Sequence, residues 1–339
     1  MIKKHFFFII SFLLIICLMT SCSEEPNRLI VDVEHIKVDI NIDRMEQDLF
    51  DNSKNKEKKH QFLLTKYGTL YQYFFSNIIG AGNPFSPNSP DRLHTFTQDS
   101  TMNLFYSELK REFKNFNIYN LELTNAFKHY KYYFPDSTIP KITTFYSNFE
   151  QKVLDIDDRL AIGIEMFLGK DNSLIMLLPN KYPQYVKNKM EKKFLTANVM
   201  YGFLFNRFYE PLGDDLISNI IAYGKIIYLL NAMLPEVSEN ILMSYSTHEQ
   251  AWCSKNENNI WEHLVDQELL YSKDQKTINN FIGDGPSTKG LPNDSPSRSG
   301  IWLGLQLIKD HVKENNLDIK ELLKEKNVQT ILKSYNPNE

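Results

Sequence analysis

The sequence predicts an α+β fold: a mainly helical single domain carrying a small β-sheet. Three observations predict it. Apolar residues alternate over 31–42, and compact strand-like runs recur at 141–149 and 160–168. Helical periodicity fills most of the remainder. No internal repeat and no linker long enough to divide the chain interrupts it. Composition agrees. The 339 residues are 42% hydrophobic and include 23 Phe and 18 Tyr, enough for a sizeable core. The 13 Gly and 14 Pro exclude collagen-like and low-complexity classes. With 38 basic against 42 acidic residues the formal net charge is −4, which excludes nucleic-acid binding by bulk positive charge. Three Cys make no disulfide framework.

The N-terminus comes first. Lys3 and Lys4 precede a nearly unbroken apolar run at 6–19. A membrane span needs about 20 apolar residues, so the run is short for one. Its length and flanks are those of a signal-peptide core. Thr20 and Ser21 stand directly before Cys22 and resemble the lipobox of bacterial lipoproteins, with Met19 in place of the usual Leu. The expected organisation is a signal peptide at 1–21, a lipidated Cys22 opening a tether over 22–30, and one globular domain over 31–339. Cleavage removes Cys17 and leaves Cys253 as the only free thiol. Ser23 is not the Asp of an inner-membrane retention signal, which favours the outer membrane.

Along the mature chain, 31–42 reads as a strand whose phase shifts at His35. A helical stretch over 44–79 comes next, with the charged run 54–60 as a solvated face or loop, then a Gly/Pro-rich loop at 80–90. Helical pattern resumes over 98–133. Strands at 141–149 and 160–168, a turn at 155–159 and a third short strand at 174–178 read as a small meander. Helices are expected at 194–209 and 214–233. The second is apolar around nearly its whole circumference, hence buried, with Asp214 or Asp215 as its cap. Shorter helices at 246–256 and 258–270, a long loop at 283–300 and a last amphipathic helix at 299–314 complete the chain.

Catalytic motifs are missing. No two His stand four apart, as a helical zinc site requires. His248-Glu249 begins like a metalloprotease motif but is followed by Trp252, and Ser246 with Glu249, or Thr247 with Gln250, makes a capping box instead. Asp155, Asp157 and Asp158 open like a calcium loop, yet Leu160 and Met166 stand where Gly and Glu are needed, so they read as turn residues. Neither a Gly-x-Ser-x-Gly elbow nor a phosphate-binding Gly loop occurs. No cofactor is implied. Trp252, Trp261 and Trp302 either line a groove or anchor the core. Arg298, one of few Arg, suits a carboxylate, a phosphate, a surface ion pair or a carbonyl contact. Pro286 marks a turn in the long loop, and Lys225, inside the most apolar helix, is a buried amine or a snorkelling side chain.

The segments 221–225 (IAYGK), 228–235 (YLLNAMLP), 244–253 (SYSTHEQAWC), Asn256-Glu257, Ile260-Trp261, Gly285-Pro286 and 295–304 (SPSRSGIWLG) resemble the GldB family of gliding-motility lipoproteins. Similarity also appears at 31–50 and 160–169. The resemblance implies a membrane-anchored, non-enzymatic component of a gliding apparatus. Its implied partners are the bilayer, reached through Cys22, and other gliding or secretion-apparatus proteins. Trp252, Trp261, Pro286, Arg298 and Trp302 are the candidate interaction surface. The family is also distantly similar to zincin metallopeptidases, so a degenerate zincin-like fold is implied. The stretches that would carry the metal ligands, 196–201 and 220–224, hold neither His nor Glu. The alternatives are a hydrolase with an unrecognised site, with His248, Glu249, Arg298 and Cys253 as first suspects, and a surface module binding sugars or peptides.

Overall fold

The computed structural model describes residues 27–337. It divides into a segment Met1–Val31 and a compact unit Asp32–Glu339. The signal peptide, Cys22 and most of the tether expected from the sequence lie outside the described residues. All described helices and strands belong to the second unit.

Four strands form one mixed sheet: β1 (Ile42–Arg44), β2 (Lys141–Phe145), β3 (Val153–Ile156) and β4 (Arg159–Gly163), in the order β1-β2-β4-β3. β1 runs parallel to β2 with Asp43 opposite Thr143, and β2 parallel to β4 with Thr143 opposite Ala161. Only β3 and β4 form an antiparallel hairpin. Asp157 makes its turn in the left-handed region, at φ +52°. Asp155 and Asp158 pair with Arg207 (2.5 Å) and Lys141 (2.7 Å). The sheet is therefore not the meander expected, because two of its three pairings are parallel: helices lie between β1 and β2, and β2 reaches its parallel neighbour β4 by way of β3.

Two expected strands are absent. Over 31–42 only the last residue joins the sheet. The Ile36 N–H donates to the Val33 carbonyl (3.0 Å) and the Glu34 N–H to Asp32 Oδ1 (3.0 Å), a turn that breaks the alternation where its phase shifts. The run at 174–178 is a helical turn, Ser173–Met176, begun by Asn172 accepting from the Leu174 N–H. Such a run is too short for periodicity to tell strand from helix.

Helices of eight residues or more are α1 (Lys56–Tyr67), α2 (Ser89–Gln98), α3 (Ser100–Glu112), α4 (Asn117–Tyr133), α5 (Leu195–Phe208), α6 (Leu216–Met233), α7 (Thr247–Lys255), α8 (Glu257–Asp266), α9 (Gln275–Ile282) and α10 (Ser299–Asn315). The expected helix over 44–79 is interrupted after Phe50 and again at Gly68, whose φ is +52°. The run 54–60 opens α1 as a partly solvated helix face: Asn55 caps it through the Lys58 N–H, Glu57 and Lys58 are exposed, and only Lys59 and His60 are buried. His60 lies 2.8 Å from both the Pro84 carbonyl (Nε2) and the Tyr71 hydroxyl (Nδ1). A carbonyl only accepts, so Nε2 carries the proton and Nδ1 accepts from Tyr71. Burial holds this ring's pKa below its ordinary value. The stretch 98–133 divides into α3 and α4. α9 and two short C-terminal helices, Ile319–Lys324 and Val328–Lys333, were not expected.

α6 is the core helix, as its all-round hydrophobicity predicts. It is long and apolar enough to cross a membrane, but 83% of it is buried inside the protein. Asp215 caps it, accepting from the Ser218 N–H. It packs against α10 with the two backbones in contact. A Cβ on Gly224 would lie 2.8 Å from the Gly304 Cα, and one on Gly304 would lie 2.9 Å from the Ile220 carbonyl carbon. Lys225 is buried and its ammonium donates to the Glu325 carbonyl at the end of Ile319–Lys324. It fastens a terminal helix to the core helix.

Candidate functional site

The β2–β3 connection sets one wall of the site. Glu165 is fully buried behind it. Its Oε1 accepts from the Ser147 N–H and the Phe149 N–H, both at 2.9 Å, and from the Ser147 hydroxyl, while Oε2 has no partner among the described residues. These bonds hold Asn148 and Phe149 in left-handed conformations, at φ +58° and +60°, which non-glycine residues seldom adopt. The chain then passes so close to Gly163 that a Cβ there would strike the Gln151 carbonyl. Lys152 emerges at the start of β3, its carbonyl accepting from the Gly163 N–H (3.1 Å).

Lys152 faces a cavity of about 400 Å³. α5 contributes Asn198 and Tyr201, one helical turn apart on one face, and α6 contributes Tyr223. Gly202 lets α5 approach β3: a Cβ there would lie 2.9 Å from a Val153 methyl. The end of α9 brings Ile282 and Asp284, and the segment before α10 brings Arg298. Lys189 and Ser244 complete the polar wall, with Val153, Leu242 and Ile301 as apolar lining.

The loop between α9 and α10 is knitted from within. Thr288 Oγ1 donates to the Pro296 carbonyl (2.7 Å), Ser299 Oγ to Thr288 Oγ1 (2.9 Å) and the Tyr245 hydroxyl to the Ser297 carbonyl (2.7 Å). Thr288, Ser295, Ser297 and Ser299 are all buried. Its Ser and Thr content thus builds a rigid arch, and Arg298 leaves it in the left-handed region, at φ +63°.

Three cations therefore meet one carboxylate. Lys189 Nζ lies 2.5 Å from Asp284 Oδ1. Among the described residues Lys152 Nζ has only a long contact to Asn198 Oδ1 (3.4 Å), and Arg298 only one of 3.4 Å to the Met243 carbonyl. Burial, helped by the Lys189 and Arg298 charges, brings the Lys152 ammonium down to about 8. Burial and Arg298 lower Lys189 as well. Asp284 is held low because Lys189 and Arg298 outweigh burial. Burial pushes the Tyr201 hydroxyl up to about 12 and raises Tyr223 too, so both remain donors. A second cavity of about 300 Å³ shares Lys189 and Ser244 and carries Lys170, Lys193, Glu249 and Pro286 on its walls.

The expected site residues are dispersed. Arg298 and Pro286 fall in the two adjoining cavities. No Trp lines either. Trp302 is buried and donates its indole N–H to Glu239 Oε1 (2.6 Å), so it is a core anchor, not an exposed platform. Trp252 and Trp261 are half-buried, and Trp261 packs edge-on against Tyr335, with ring centroids 5.0 Å apart. Glu249 is engaged in the capping box with Ser246. Cys253 is buried and its thiol is pushed up by burial, the opposite of a poised nucleophile. Among the described residues no three His, Cys, Asp or Glu side chains converge as a metal site would need. Lys152, Lys189, Tyr201, Tyr223 and Asp284 were not legible as a set. Single Lys and Tyr residues in a chain rich in both carry no local signal.

Against this geometry, the family model described as gliding motility protein GldB matches residues 26–337, nearly the whole chain. The chain belongs to the GldB family. No curated protein and no solved structure matches it. Several of the segments that carry the family resemblance have structural work in this fold: 221–225 holds the helix contact and the Lys225 fastening, and 295–304 holds the arch, Arg298 and Gly304.

Proposed function

We propose that the chain is a lipid-anchored, non-enzymatic component of the gliding machinery, held in the cell envelope by Cys22, with the outer membrane favoured over the inner. It works by holding other gliding or secretion-apparatus proteins. The observation that carries this reading is the family match over residues 26–337. A chain starting at a lipidated Cys22 gains about 0.8 kcal/mol per buried methylene, enough with two or three acyl chains for lasting attachment. The cavity supports a non-enzymatic role on its charge. The stretches that a zincin-like relative would use for a metal supply here the neutral Asn198, Tyr201 and Tyr223, and three flanking cations oppose a divalent ion. The exposed Pro286 and the half-buried Trp252, Trp261 and Arg298 offer the partner-facing surface; Trp302 supports it from the core.

A Cys22→Ala variant in gliding cells tests the anchor. The expected outcome is loss of lipid labelling, release from the membrane fraction and loss of colony spreading. Undiminished labelling, or normal spreading by the unlabelled protein, would overturn the reading.

A further inference from the structure

The structure contains a polar cavity to which membership of the family gives no role. We propose that the cavity between β3, α5, α6 and the 283–298 arch binds a phosphoryl group carried on a small organic body, with Lys152 and Arg298 as its principal ligands.

Charge is the first argument. Lys152, Lys189 and Arg298 face the cavity against Asp284 alone, and Asp284 is already paired with Lys189 and is more than half exposed. About two positive charges remain uncompensated in a chain whose net charge is −4. A phosphate monoester is close to a dianion at neutral pH. One carboxylate would leave an excess charge behind.

Unsatisfied donors are the second. Arg298, with five N–H donors in a fixed fork, makes one long hydrogen bond, and Lys152, with three, makes another. The Tyr201 and Tyr223 hydroxyls line the same space. A ligand meeting this wall must bring acceptors, and a phosphoryl group brings three oxygens to match a guanidinium fork. Stability gives no reason to crowd the two lysines beside Arg298, since burial and the neighbouring cations disfavour both ammonium groups. A bound dianion removes that repulsion.

Size and lining are the third. The cavity, at about 400 Å³, holds far more than a phosphate ion, and Val153, Leu242, Ile282 and Ile301 give the remainder an apolar wall. A phosphorylated small molecule and a lipid headgroup both carry this chemistry.

The test uses the full-length lipoprotein in detergent at pH 7 and fixed ionic strength. Thermal melting and calorimetry monitor additions of sodium phosphate, glycerol 3-phosphate, sodium acetate and, in a separate arm, short-chain phosphatidic acid against phosphatidylcholine. Phosphate and glycerol 3-phosphate are expected to raise Tm, acetate to leave it unchanged, and Arg298→Gln and Lys152→Met each to weaken binding about tenfold, which is about 1.4 kcal/mol. A shift with phosphatidic acid alone, lost in the variants, assigns the phosphoryl group to a lipid headgroup and upholds the site. Lys152 has a single long contact, so Lys152→Met keeps the test decisive where Arg298→Gln fails to fold. Equal shifts from acetate and phosphate, no shift with any phosphate compound, or wild-type binding by Lys152→Met would overturn the proposal.

Discussion

At the scale of single residues, two buried charges point in opposite directions with pH. Burial raises the Glu165 carboxyl to about 7, against the pull of the Ser147 and Phe149 donors. Its folded pKa therefore lies above its unfolded value. The folded state binds the proton more tightly, so the contribution is complete below pH 4.5 and is lost as pH rises through 7. The loss is on the order of 3 kcal/mol. Glu165→Gln keeps the oxygen that holds the 147–149 turn and cannot ionise. Melting curves from about pH 4.5 to about pH 8 should show the wild type losing Tm relative to this variant as pH rises; parallel curves would refute the assignment. Lys152 is the reverse case, with its folded pKa lowered to about 8 from 10.5. Its burial penalty is fully present below pH 8 and vanishes as pH rises through 10.5. Allowing for its partial exposure, Lys152→Met should stabilise the ligand-free protein by on the order of 1 kcal/mol at about pH 7, and by nothing near pH 10.5. A destabilised variant at neutral pH would mean that the ammonium has a partner in the fold. Stability given up at a binding wall is the usual signature of a functional residue.

At the scale of elements, the α6–α10 contact is the most demanding joint in the fold. Neither Gly224 nor Gly304 has room for a methyl group, because the opposing atoms are backbone and cannot rotate away. Gly304→Ala should separate the helices and cost about 1–3 kcal/mol or more. At about 2–4 °C per kcal/mol for a chain of this order of size, a thermal melt should show a Tm drop of several degrees. An unchanged Tm would show that the helices can slide apart freely. This joint also explains what was legible beforehand. α5, α6, α7 and α10 carry long periodic or all-apolar patterns and capping signals such as Asp215 and the Ser246–Glu249 box, and they lie where the sequence places them. The sheet departs from expectation because β1 is three residues long and its parallel pairing joins segments about a hundred residues apart. The site was legible only at Arg298 and Pro286. Lys152 is placed by Glu165 and by the close pass at Gly163, and no spacing rule connects such residues.

At the scale of the whole unit, the C-terminal segment decides whether the core stays closed. Ile319, Leu322 and Ile331 are buried, each worth about 1.5–3 kcal/mol as an upper estimate. Lys225 commits its ammonium to the Glu325 carbonyl, His311 Nδ1 lies 3.0 Å from Ser334 Oγ, and Tyr335 bonds Glu257 Oε1 (3.2 Å) and packs on Trp261. The segment thus ties α6, α8 and α10 together from outside. Truncation after Asn316 removes all of these at once and strands a buried amine inside the most apolar helix. The sum is comparable with the whole stability of an ordinary domain, about 5–15 kcal/mol. The truncated chain should therefore fail to accumulate in soluble form, or melt far below the full chain with Trp261 emission shifted to the red. The phosphate-facing residues all precede the cut, so any folded fraction should still bind phosphate. A truncated protein that melts like the full chain would show that α6 and α10 hold the core without this outer clasp.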